Sequence, residues 1–170
     1  MSGFSKRIHI FFRDIHMGGA IGGALFLVGV WLIVLMIVGS PRMLLHFAAK
    51  QILVLPAWLF LVLSFLFYAI CGFCVGAILF DCRRTREVAR YRGAFFFSLA
   101  ITVSYLWYAL FFGARFFLPA LLFSAIVSLF LIVTAVNWRG LLRPCFPMMW
   151  LAVGWSVYLF VFCLTCFFFL

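Results

Sequence analysis

The sequence predicts an all-α integral membrane protein, a single domain over residues 1–170 built as a five-transmembrane-helix bundle. Three observations carry that prediction. Of the 170 residues, 69% are hydrophobic and 9% are charged, whereas a soluble domain averages roughly 45–50% apolar and 25% charged residues. The apolar residues fall in five runs, each near the ~20 residues that cross a bilayer as a helix. The charges collect between those runs. Such a chain cannot cover itself with polar surface, so its first partner is the lipid bilayer. The net charge of +10 would suggest nucleic acid only on a soluble core with a basic face. No nucleic-acid partner is expected here.

Taken in order, residues 1–17 (MSGFSKRIHIFFRDIHM) mix Lys6, Arg7 and Arg13 with aromatic and aliphatic side chains, the pattern of a segment lying at the membrane interface. The first span, 18–38, runs on without a small-residue cleavage site. It exceeds the about 7–15 apolar residues of a signal segment. The second span is 56–80 and the third 93–112. The fourth is 116–136 and the fifth 146–168. The third and fourth could be one helix, but 93–136 is 44 residues, about 66 Å at about 1.5 Å per residue. That is twice the roughly 30 Å of hydrocarbon. The chain must fold back within FFGARFF, with Gly113 as the permissive backbone and Arg115 reaching the headgroups.

The loops set the orientation. The N-terminal segment and the 81–92 and 137–145 loops carry three, five and two Lys/Arg, ten together, and the other side has only Arg42, Lys50 and Arg115. Positive charge stays inside, which predicts a cytoplasmic N-terminus and an external C-terminus; the membrane expected is a bacterial cytoplasmic one. Gly18/Gly22, Gly19/Gly23, Gly72/Gly76 and Ala100/Ser104 are four-residue repeats of small side chains that let helices approach. The small faces of the first three spans point either to a homodimer, with Ala100 and Ser104 as its candidate contact, or to packing within one chain; spacing leaves both open.

Little in the chain carries polar chemistry. The acidic residues Asp14, Asp81 and Glu87 fall outside the spans, and no span holds the buried ionisable group of an ion-coupled pump. His9, His16 and His46 are scattered, so no metal site is predicted. The C-x-x-C pairs Cys71/Cys74 and Cys163/Cys166 lie in apolar runs and read as packing residues. Six tryptophans remain. Trp58, Trp138 and Trp150 sit at span ends, where the usual role is an interfacial belt; Trp107 is further in and expected to be buried. Trp58, Phe65 and Gly72 recur at seven-residue intervals beside Leu61 and Tyr68. Ala100, Ser104 and Trp107 share a face, as do Trp150, Gly154 and Val157. Rings beside a small residue leave a slot for a flat apolar ligand, or the faces fill one another. Spacing leaves both open.

At these residues the chain resembles the translocator protein family, also called tryptophan-rich sensory proteins (TspO, peripheral benzodiazepine receptor type). The blocks are PAWLFLVLSFLFYAICG (56–72), SYLWYALFFGAR (104–115) and PMMWLAVGWSVYLF (147–160). Ser64 stands where the family has an inner tryptophan. Tyr158 and Phe162 replace a fifth-helix asparagine and tryptophan. The resemblance implies a five-helix bundle whose pocket, beneath the first long loop, takes porphyrin, haem or a related planar hydrophobe as ligand, with no cofactor required. It places Trp58, Trp107, Trp150, Gly154 and Val157 at that pocket and makes the 39–55 loop, with Arg42, His46 and Lys50, its lid. A binding and sensory role is expected. The alternatives are a small transporter of hydrophobic compounds and an enzyme degrading porphyrin in light, against which the serine at position 64 argues.

Overall fold

The computed structural model describes residues 17–39, 55–80, 87–141 and 145–169. It is a bundle of five helices: α1 (Met17–Val38), α2 (Ala57–Leu79), α3 (Glu87–Tyr108), α4 (Phe117–Asn137) and α5 (Cys145–Phe169). All five, α3 together with the turn that follows it, are long and apolar enough to cross a membrane, and the chain is a multi-pass membrane protein. The closest packing runs α1 on α2, α2 on α5, α5 on α4 and α4 on α3. Only light contacts join α1 and α2 to α3. The N-terminal interfacial segment, the proposed lid with Arg42, His46 and Lys50, and Cys82 lie outside the described residues.

Hydropathy located every span, but α3 begins six residues before the predicted start. Glu87 to Arg92 are helical although charged. Hydropathy measures which residues tolerate lipid. A helix continues into water wherever its backbone bonds are satisfied within the helix, so the charged turns extend α3 beyond its apolar run.

The predicted reversal between the third and fourth spans is present, with a different residue in the special conformation. After α3 the backbone widens into a π-helical turn, Ala109–Ala114. Arg115 then adopts the left-handed region at φ 57°, while Gly113 does not. The wider turn moves the stop two residues along the chain. The Arg115 and Phe116 N–H groups both reach the Leu110 carbonyl oxygen, the latter at 3.0 Å. Arg115 is exposed, so its charge is not drawn into the core.

Glycine explains the tightest contact. Gly19 and Gly23 of α1 lie against Gly72 and Gly76 of α2. A Cβ added at Gly72 would sit on the Gly23 carbonyl oxygen and 2.6 Å from the Ala24 Cα. At Gly76 it would strike the Gly19 carbonyl group. No side chain fits between these backbones. Further along the same pair, Trp31 stacks on Tyr68 (5.9 Å between ring centroids) and Tyr68 on Tyr105 of α3 (4.9 Å). The Tyr105 hydroxyl donates to the Leu27 carbonyl at 2.9 Å, tying α3 to α1.

Two expectations about surfaces are corrected. Trp138 is not an interfacial anchor: it is 3% exposed, stacks on Phe97 and lies over Gly93, where a Cβ would run into its indole. Its N–H donates to the Arg90 carbonyl at 3.3 Å. Gly93 made that burial possible. Ala100 and Ser104 are buried within the bundle, Ser104 accepting from Tyr68 of α2. A homodimer would have to use another face.

Candidate functional site

The five residues singled out do not converge on one cavity. Trp107 is buried, stacks on Phe111 at 5.4 Å and donates its N–H to Cys163 Sγ at 3.1 Å. Trp58 is 67% exposed in the first turn of α2. Trp150 and Val157, each 43% exposed, point away from the bundle on α5. α2 and α5 are antiparallel: Phe60 meets Phe162, whereas Ile70 lies with Leu151. Trp58 and Trp150 therefore sit toward opposite ends of the bundle. Both are exposed near the starts of their helices.

Gly154 does open a site. A groove of about 470 Å³ runs between α2 and α5, with Phe67 and Ile70 on one wall and Leu151, Gly154, Trp155 and Tyr158 on the other. Its volume falls within the roughly 300–1,000 Å³ of small-molecule sites. A Cβ at Gly154 would meet nothing within 4 Å, so the glycine widens the groove rather than seating a neighbour. Beside it the Trp155 and Tyr158 rings stack at 5.0 Å with 23° between their planes. Phe60 closes on Trp155 from α2 at 5.6 Å. The result is a flat aromatic wall next to an open gap.

Sequence reading reached Gly154 and missed Phe67, Trp155 and Tyr158. The signal was present. Leu151, Gly154, Trp155 and Tyr158 follow the i, i+3, i+4, i+7 spacing of one helix face, rotated by about one residue from the face of Trp150, Gly154 and Val157. Apolar character is nearly uniform around α5, and nothing in it tells the two faces apart.

A second, larger groove of about 830 Å³ lies between α1 and α3. Gly18 and Gly22 form one side; Phe97, Ser98 and Thr102 form the other. Ser98 and Thr102 donate to the Phe95 and Ser98 carbonyls of their own helix, so this groove offers little hydrogen-bond donation. Neither groove is lined by an ionisable side chain other than a tyrosine. Among the described residues no three His, Cys, Asp or Glu gather as metal ligands. The five described cysteines are buried free thiols, in keeping with packing. Comparison with known protein families, with characterised proteins and with solved structures finds no match to this chain.

Proposed function

We propose that this chain is a membrane binding and sensory protein that takes a planar hydrophobic ligand, of the tetrapyrrole class that its resemblance to the translocator protein family implies, in the groove between α2 and α5. The observation that carries the reading is Gly154: it leaves a gap beside the stacked Trp155 and Tyr158 rings. A flat ligand gains most from such a wall. Ring stacking adds about 0.5–1.5 kcal/mol beyond the area buried, and an apolar molecule already dissolved in lipid gains little from burial alone. Contact geometry therefore decides what binds. The groove reaches Leu55, and the segment preceding Leu55 in sequence carries Arg42, His46 and Lys50. Those are the cations that would pair with a porphyrin's propionates.

The test is Gly154→Phe, which fills the gap and leaves no polar group unpaired. Protoporphyrin titrated against tryptophan fluorescence should bind at least about 10-fold more weakly, about 1.4 kcal/mol, while the variant still inserts and melts near the parent. Parental affinity in a folded Gly154→Phe protein overturns the site.

We also infer that the N-terminus is cytoplasmic and the C-terminus external, on the ten-to-three division of Lys/Arg between the two sides. Reporter fusions at residue 87 and at the C-terminus should read inside and outside respectively. The reverse result removes both the orientation and the role given to Arg42, His46 and Lys50.

A further inference from the structure

Hydroxyls gather inside this bundle, away from its ends. Ser64 and Tyr68 of α2, Ser104 and Tyr108 of α3, Ser124 of α4 and Ser156 of α5 all line one interior cavity of about 20 Å³. Phe67 and Trp155 also line it, and on their other side they line the α2–α5 groove. The cavity is thus walled off from the lipid-facing groove by two rings.

The hydrogen-bond accounts of these groups do not close. Ser104, Ser124 and Ser156 donate within their own helices, to the Ile101, Leu121 and Val153 carbonyls at 2.7, 2.7 and 2.8 Å. Tyr68 then serves as the donor to Ser104, at 3.1 Å. The hydrogens of these three serines are spent, but each serine oxygen has two lone pairs, so acceptor capacity remains around the cavity. The Tyr108 hydroxyl is the reverse case. The residue is 2% exposed, and its hydroxyl has no hydrogen-bond partner among the described residues. A buried hydroxyl left unpaired is costly in any interior and more so in a bilayer, where no bulk water can reach it.

We propose that this cavity is a built hydration site: one water molecule accepts from the Tyr108 hydroxyl and donates to serine oxygens on the neighbouring helices, joining α3 to α5 and α2. The size fits one guest. Admitting a water takes roughly 10–15 Å³, so about 20 Å³ takes one water comfortably and two only at the lower limit, and no organic group fits. The chemistry fits as well, because the surplus donor and the surplus acceptors are what a water with about three bonds satisfies together. A sodium ion would find only neutral oxygens and no carboxylate to balance its charge. The site does not depend on the ligand reading of the adjoining groove.

Tyr108→Phe tests it by the sign of its effect. It keeps the ring and removes only the hydroxyl. If the water is held there, the substitution strips one of its bonds, and the unfolding midpoint of the purified protein should fall by about 2–4 °C. With Ser156→Ala already present, the fall should be smaller. If the hydroxyl is simply unpaired, its removal raises the midpoint or leaves it unchanged, and either result overturns the proposal. Water-edited solid-state NMR of the parent in lipid gives a second measurement that needs no variant. Transfer from water to the Tyr108 ring is expected, and its absence overturns the site. A midpoint that rises with sodium chloride but not with choline chloride would make the guest an ion and overturn the assignment to water.

Discussion

The seam between α1 and α2 and the groove between α2 and α5 both rest on glycine, and they use it in opposite ways. At the seam, Gly19, Gly23, Gly72 and Gly76 bring two backbones into contact with nothing between them. In the groove, Gly154 has nothing within 4 Å of where its Cβ would stand. A glycine inside a helix costs roughly 0.5–1 kcal/mol relative to alanine. The seam offsets that cost by close packing, the main source of helix association once hydrophobic burial is lost to lipid. Nothing within the described chain offsets it at Gly154. That contrast is the physical reason to look for a ligand in one place and a structural joint in the other.

Breaking the seam should have the largest effect. Gly76→Ala adds one methyl, but it falls on the Gly19 carbonyl group. Neither partner is a flexible side-chain end that can swing aside, so the helices must separate. The expected cost is about 3 kcal/mol or more, the upper part of the range for overpacking. It is read as a lower unfolding midpoint or as loss of inserted protein. A Gly76→Ala variant as stable as the parent would mean that α1 and α2 are not in backbone contact there.

Trp138 sharpens the comparison on the other side of the bundle, because Gly93 again admits a neighbour. Trp138→Phe keeps a ring to stack on Phe97 and cover Gly93, and loses the N–H that reaches the Arg90 carbonyl. The expected cost is about 1 kcal/mol, that of one hydrogen bond. An interfacial tryptophan replaced by phenylalanine would change the stability by less than about 0.5 kcal/mol, and that smaller value would return Trp138 to the belt.

Much of the fold was legible because a bilayer imposes one length on every crossing. The five spans, the reversal before Phe116 and the glycine pairs all follow from counting against that length or from four-residue spacing. What could not be read shares a cause. In lipid both the inward and the outward faces are apolar, so hydropathy does not say which way Trp58, Trp150 or Val157 points, and they point outward. The burial of Trp138 depended on a glycine 45 positions earlier in the chain. The turn at Arg115 depended on a π-helical widening that no residue between Ala109 and Ala114 announces. Trp155 and Tyr158 were hidden by a rotation of one residue around α5.

The smallest expected effect separates the two grooves. Gly22 and Gly154 each have open space where a Cβ would stand, and they line different grooves. Alanine at either position should raise stability by about 0.5–1 kcal/mol, the helix-propensity gain alone. The two variants should then part company in binding. A stabilising substitution that lowers function marks a position held below its stability optimum by that function. Gly154→Ala should weaken protoporphyrin binding measurably, though less than Gly154→Phe, because one methyl takes only part of the gap beside Trp155 and Tyr158. Gly22→Ala should gain the same stability and bind as the parent does. If Gly22→Ala weakens binding and Gly154→Ala does not, the ligand lies between α1 and α3, and the aromatic wall on α5 is packing.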